Sequence, residues 1–278
     1  KSDLSKVAES IVFQSFIESI ISDDNYLYVG GSFVNGRVFK LNKSDLSKVA
    51  ESVVFDAGIY SIASDDNYIY AGGRAEYGKV FKLNKSNLSK VAESAGHADS
   101  IYSIASDDNY IYAGGSAGKI YKLNKSDLSK VAESVAYDAD TIYSIASDDN
   151  YIYAGGSAGK IYKLNKSDLS KVAESVAYDG DAIIKSIASD DNYLYVGGSA
   201  LYVDNYYVAI IFKLNKSDLS KVAESASDGE VIIESITLDD NFIYIGGSGG
   251  GTRKVRKLNK VAYIWGNKKL KLIPIEVV

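Results

Sequence analysis

Six times along the 278-residue chain two aspartates stand side by side and are followed by asparagine, starting at Asp23, Asp65, Asp107, Asp148, Asp190 and Asp239. Paired carboxylates are the material of calcium sites and of acid–base catalysis. Calcium wants about six to eight oxygens converging on one point. Adjacent side chains in a tight turn diverge, and the ligand spacing of an EF-type loop is missing. Asp and Asn tolerate left-handed backbone and bond their own main chain, so the triplet reads as a hairpin turn and no metal is expected. His97 is the single histidine. No serine or cysteine nucleophile motif accompanies it, so no catalytic residue is expected; its loop position makes it a candidate contact residue. Arginine occurs four times, and Arg37, Arg74 and Arg253 fall at corresponding places in their copies of a repeat. Three guanidiniums on one sector would hold a carboxylate or sulfate through charge-assisted bonds. Asn42, Asn84, Asn124, Asn165 and Asn215 each begin Asn-Lys-Ser, the form of an N-glycosylation acceptor. The same residues are good turn formers, and duplication copies a motif freely.

The elements that must position these residues come from that repeat. Residues 101–134 recur letter for letter as 142–175. The six aspartate pairs are spaced by 42, 42, 41, 42 and 49 residues. A period of about forty residues is that of a four-stranded propeller blade. Within one copy, 101–106 reads as the first strand, 107–109 as a turn and 110–114 as the second strand. Then 115–118 turns, 119–124 is the third strand, 125–127 turns, and 128–134 is a charged outer strand suited to an edge. Tyr110 and Tyr112 alternate with Ile111 and Ala113. Both faces of that strand are apolar, which predicts burial on both sides, between neighbouring blades. Helical periodicity is absent and Pro274 is the only proline. The expected fold is all-β: a single-domain six-bladed β-propeller of four-stranded antiparallel blades. The N-terminal strand 1–10, the C-terminal stretch 261–278, read as a hairpin, or both close the ring. Seven blades, the last built from both termini, are the alternative.

Bulk composition agrees. The chain is 46% hydrophobic and 24% charged, with 23 tyrosines, too rich in aromatics for disorder. A net charge of -5 argues against nucleic acid, which needs a basic face. No apolar run approaches membrane-helix length, so no transmembrane segment is expected. Cysteine is absent, which excludes disulfides and thiolate metal sites. Methionine is also absent and Lys1 enters in mid-repeat. Both lead to the expectation of a processed chain, extracellular or at the cell surface, whose signal peptide has been removed; a trimmed chain is the alternative.

Residues 109–124, Asn-Tyr-Ile-Tyr-Ala-Gly-Gly-Ser-Ala-Gly-Lys-Ile-Tyr-Lys-Leu-Asn, resemble the blade of the quinoprotein-type (PQQ-like) propeller repeats. There an alternating aromatic strand leads to Gly-Ser, a short glycine turn and an apolar strand ending in Leu-Asp. The resemblance implies the blade. Family blades commonly end on a docking tryptophan; here that region reads Lys-Val-Ala-Glu-Ser, and Trp265 is the only Trp. The family's enzymes have eight blades, some with a vicinal cysteine pair beside the quinone. With six copies and no cysteine, the fold carries over and the oxidoreductase chemistry and its cofactor do not.

Compared with one another, the copies keep the Asp-Asp-Asn and Asn-Lys-Ser turns, which a propeller places on one face. They vary in the second-to-third and fourth-to-first loops on the opposite, top face. A rigid scaffold with differing loops is a common way to build a binding site. The candidate contact residues are therefore Arg37, Arg74, Tyr77, His97, Tyr137, Tyr178 and Arg253, with Tyr202, Tyr206 and Tyr207 in an insertion at 201–207 of the fifth copy. The function expected is non-enzymatic binding of a protein or glycan partner. The alternatives are a structural subunit of a surface assembly, self-associating by exchange of terminal strands, and, from the resemblance, a quinoprotein-like oxidoreductase.

Overall fold

The structure, a computed structural model, describes the chain except for residues 1–7, 11–15, 32–35, 56–57, 75–76, 98–99, 138–140, 179–181, 200–201, 204–205, 208–210, 226–231, 250–251, 261–270, 273 and 276–278. At 202–203, 206–207, 248–249, 252–254, 256, 271–272 and 274–275 it describes the backbone alone.

Local turn chemistry builds each blade. In the second copy, Ile59–Ser64, Tyr68–Gly73, Val80–Asn84 and Lys90–Glu93 are antiparallel strands paired in sequence order. The first turn is an Asx turn: Asp65 Oδ1 accepts the N–H of Asn67 at 3.0 Å and of Tyr68 at 2.8 Å. The third turn is closed by Leu88 N–H donating to Asn84 O at 2.7 Å and Asn84 N–H donating to Ser89 O at 2.8 Å. This places Leu88 at φ 60, in the left-handed region. A leucine there costs roughly 1–2 kcal/mol, and burial of its side chain returns about 1.5–3 kcal/mol. Leu46, Leu128, Leu169 and Leu219 repeat the conformation. Leu128 therefore belongs to the turn, and the outer strand begins at Lys130 instead of at 128.

Six such sheets follow one another, with no helix among the described residues, and the protein is an all-β six-bladed propeller. The chain divides into two compact units, Lys1–Glu133 and Ser134–Val278. The first holds three four-stranded blades, and the second holds the other three. In each unit the core lies between blades. In the first unit, Ile69 and Ala71 pack with Tyr28 and Val38 of the preceding blade, whereas Tyr70, on the opposite face of the same strand, packs with Ile101 and Ile104 of the following one. The period-2 pattern, apolar on both faces, is thus buried on both faces.

The ends of the second unit differ from the regular blade. Pro274–Ile275 pairs antiparallel with Thr252–Asn259 and supplies the outer strand of the sixth blade. Lys271–Leu272 runs parallel beside Lys221–Ser225 and gives the fifth sheet an extra strand. These two short strands join different sheets, and both fall in the second arm of the expected hairpin, whose first arm, 261–265, lies outside the described residues. Residues 1–7 and Trp265 lie outside the described residues.

Candidate functional site

The repeated polar residues meet at the seams between blades, on the face of the Asp-Asp-Asn turns. Besides its two turn bonds, Asp65 accepts the phenol O–H of Tyr70 through Oδ2 at 2.8 Å, and Lys125 Nζ of the next blade lies 3.4 Å from the same oxygen. Lys82 sits in the middle of an apolar strand and is buried. It reaches across the seam, donating to Lys125 O at 2.7 Å and Ser126 O at 3.2 Å, with its ammonium 4.0 Å over the Tyr68 ring. A buried ammonium needs such partners. Lys40 and Lys163 make the same bonds to Lys85 and Ser86 and to Lys216 and Ser217, and Lys213 donates to Lys260 O. Burial lowers the pKa of Lys40, Lys82, Lys163 and Lys213 against the raising influence of nearby aspartates.

The surroundings of Asp23, Asp65, Asp148 and Asp190 favour the ionised carboxylate. Burial works to raise the pKa of Asp65, but the Tyr70 hydroxyl, the two N–H groups and Lys125 more than offset it, so the folded value lies below 3.8. Asp23, Asp148 and Asp190 are lowered by the same balance. The folded value is depressed, so the stability these groups supply is present above the unfolded value, about 3.9, and is lost as pH falls through the folded one. The melting temperature followed by circular dichroism is expected to hold down to about pH 4 and to fall steeply below it, less steeply in Asp65→Asn. A profile already falling between pH 7 and 5 would contradict this account.

Two clefts open along these seams, one of about 570 Å³ between the second and third blades and one of about 670 Å³ between the fourth and fifth. Lys82, Lys125 and Asp65 line the first, and Asp148, Lys163 and Lys216 the second. Lys125 and Lys216 pair with the aspartates and Lys82 and Lys163 bond carbonyls across the seam, which leaves little free chemistry for a ligand. Among the described residues no group of acidic or histidine side chains forms a metal site.

The opposite face carries the loop residues, and the structure separates them. Tyr137 and Tyr178 are buried. Tyr137 stacks on Tyr162 with ring centroids 4.3 Å apart, and Tyr178 on Phe212 at 4.0 Å. Phe55 on Phe81 and His97 on Tyr121 repeat the arrangement. An aromatic from each of these four linkers thus locks onto the third strand of the next blade, which for Tyr137, Tyr178 and His97 is a packing role in place of the expected surface contact. Tyr121 O–H donates to His97 O at 2.6 Å. Burial, then Lys130, lowers the pKa of His97, with Glu133 acting the other way.

Arg37 is also committed. It opens the strand Arg37–Asn42 and pairs with Glu51 at 2.7 Å, as Lys79 does with Glu93. Arg253 lies within the strand Thr252–Asn259, opposite Ser248. The arginines thus lack the common loop setting expected of a triad. Tyr202–Val203 pairs with Tyr206–Tyr207 as a short antiparallel hairpin. Arg74 and Tyr77 remain exposed in one loop. Tyr77 is 80% exposed and sits at φ 67 before Gly78 at φ 71. The Asn-Lys-Ser asparagines have a structural task. Nδ2 of Asn42, Asn124, Asn165 and Asn215 donates to the serine five residues on, at 2.8–2.9 Å, which accounts for their repetition without a sugar.

One variable position escaped the loop comparison because it lies inside a strand. The inner strands read Ile-x-Ser-Ile, with x as Tyr60, Tyr102, Tyr143, Lys185 and Glu234 in the second to sixth copies. Tyr60 and Tyr102 stack at 5.2 Å in the first unit, and Lys185 pairs with Glu234 at 2.8 Å in the second. A single changing residue between unchanging neighbours was the available signal.

No protein-family profile and no curated protein matches the sequence. Solved structures share the fold. The computationally designed Ika8 protein superposes with a TM-score of 0.72 at 15% identity, over 90% of this chain and 73% of that one. U3-55K gives 0.73 at 14%, over 94% and 81%, and the WD40 repeats of RRP9 give 0.73 at 14%, over 94% and 80%. At these identities the likeness is one of fold. No helix among the described residues is long and apolar enough to cross a membrane.

Proposed function

We propose that the chain is a non-enzymatic scaffold, extracellular or at the cell surface, that binds a protein partner through its top-face loops, with a glycan as the other class of ligand. One observation carries the reading. The first aspartate, the mid-strand lysine and the turn asparagine of the repeat are consumed by turns and seams, and where the copies differ exposed arginine and tyrosine stand together at Arg74 and Tyr77. Holding an exposed tyrosine in left-handed backbone costs free energy and contributes no burial. Tyr and Arg are the side chains that most often anchor interfaces. Antibody labelling confined to permeabilised cells would remove the proposed location.

Panning a displayed peptide library and probing a glycan array, each with the native protein, Arg74→Ala and Tyr77→Ala, tests the site. Peptide binders are expected to lose roughly tenfold or more in affinity with either variant. Binders that treat all three proteins alike would take this loop out of the site, and glycan binding lost in the variants would move the reading to the second ligand class.

A further inference from the structure

The inner strands of the first unit each carry one residue more than their partner strand. Ile59 pairs with Gly73 and Ser61 with Gly72, so Tyr60 is the extra residue of a β-bulge. Glu18, between Ile17 and Ser19, and Tyr102, between Ile101 and Ser103, hold the same place. A bulge lifts its residue out of the ladder and re-aims the side chain, a device common beside functional sites. The bulged residue is also the one that changes while the isoleucine before it and the Ser-Ile after it do not.

The joins between these blades bring the bulges together. Ile62 N–H donates to Ser19 Oγ at 3.1 Å, and Ile104 N–H to Ser61 Oγ at 3.0 Å. Each bond holds one inner strand beside the next. The Tyr60 and Tyr102 rings then lie 5.2 Å apart and almost parallel, at 5°. Both tyrosines are half-buried, and they form a platform that a further ring can extend.

Arg74 stands at the Tyr60 end of the platform. It follows Gly73, and its N–H donates to Gly58 O at 3.1 Å, two residues before Tyr60. Its side chain is exposed and makes no ion pair among the described residues, whereas Arg37 is held by Glu51. The Tyr60 hydroxyl has no hydrogen-bond partner among the described residues either. Burial, then Tyr102, raises the pKa of that phenol, Arg74 works to lower it, and Glu18 of the preceding blade adds to the rise. A guanidinium fork matches a carboxylate, and a neighbouring phenol O–H adds a donor. Glu18 opposes negative charge at the same place, which favours a singly charged carboxylate over a doubly charged phosphate.

We propose that Arg74 and Tyr60 bind the carboxylate of an aspartate or glutamate in a protein partner, and that an aromatic side chain beside it extends the Tyr60–Tyr102 stack. The proposal rests on the reading of the Arg74–Tyr77 loop as a protein-binding site and adds to it an inner strand which that reading does not use. Interface anchors of one protein tend to meet anchors of the other, and an aromatic side chain is what continues a ring stack.

The test takes peptides panned on the native protein from a displayed library. An acidic residue beside an aromatic one is expected to recur among them. The tightest binder is synthesised with its acidic residue as Glu and as Gln, and both are titrated by fluorescence anisotropy. Tyr60→Phe keeps the ring and is expected to weaken the Glu peptide about tenfold and the Gln peptide hardly at all. Tyr102→Gln should weaken both alike, at a position that takes Lys185 and Glu234 in later blades. Arg37→Ala should weaken neither. Binders that need Tyr77 but treat Tyr60→Phe as native, or the Gln peptide as the Glu peptide, overturn the proposal and leave the loop reading standing. Binders that need Tyr60 and Arg74 but not Tyr77 support the proposal and remove Tyr77 from the site. Binders indifferent to all four residues, or a library that yields none, overturn both. An acidic glycan whose binding needs Tyr60, where no peptide's does, overturns the choice of a protein partner.

Discussion

Gly73→Ala is expected to be among the most damaging single-methyl changes in the protein. Gly73 ends the second strand of its blade, where the inner strand bulges between Ile59 and Ser61. The bulge brings the Gly58 carbonyl against the Gly73 Cα, and a Cβ there would collide with Gly58 O. It would also stand 2.9 Å from Ile59 Cα. Both obstacles are backbone and cannot rotate away. The carbonyl is itself held, since it accepts the Arg74 N–H at 3.1 Å. We expect a loss of at least ~3 kcal/mol, at the top of the range for an inserted methyl. Urea unfolding reads it as a lower midpoint at unchanged slope. Gly246→Ala, placed in open space, is the control; in dilute protein it should cost nothing or stabilise by up to about 1 kcal/mol, because alanine loses less backbone entropy. Equal effects from the two substitutions would refute the close-approach account. Gly115, Gly156 and Gly198 stand equally close to a carbonyl, so the second glycine of each Gly-Gly is fixed by its own blade.

Asp65→Ala and Asp66→Ala are expected to part sharply although the residues are neighbours. Asp65 is the single acceptor for two turn N–H groups and the Tyr70 hydroxyl and faces Lys125 across the seam. Tyr70 is fully buried, so its hydroxyl finds no water in exchange. Stranding such donors costs about 1–3 kcal/mol each, and water reaching the turn recovers part of that; we expect a net loss of ~3–4 kcal/mol. Asp66 is exposed, and its loss should stay within about 0.5 kcal/mol. Adding Tyr70→Phe to Asp65→Ala should cost less than the sum of the two single losses, because the stranded hydroxyl is gone. Full additivity in that cycle, or equal losses at 65 and 66, would show that the tyrosine–aspartate bond is not what the aspartate is kept for.

The blades were legible because their signals are local. A strand declares itself by alternation over five or six residues, and a hairpin by Asp-Asp-Asn. Leu128 was misplaced into a strand because a leucine in left-handed backbone is paid back only by a core that the neighbouring blade completes. The site was less legible. Tyr137 and Tyr178 are tyrosines in variable loops, the pattern of a contact surface, yet each turns inward onto the next blade's third strand. Arg37 resembled Arg74 by its place in the copy, and only its geometry against Glu51 set it apart. Lys82 passed unnoticed as one more lysine of a repeated Lys-Leu-Asn, although a lysine inside an apolar strand asks where its charge goes.

The sequence by itself determined the blade, its four strands, its turns and the number of copies, since each is written within some forty residues. The tertiary structure decided which repeated residues are spent and which are free. Lys82 meets Ser126, and Ile62 meets Ser19, across more than forty residues of chain, distances that no local pattern encodes. The aspartate pairs show the division most plainly. Sequence makes both members turn formers; the fold turns the first toward a tyrosine of its own blade and a lysine of the next and leaves the second in water.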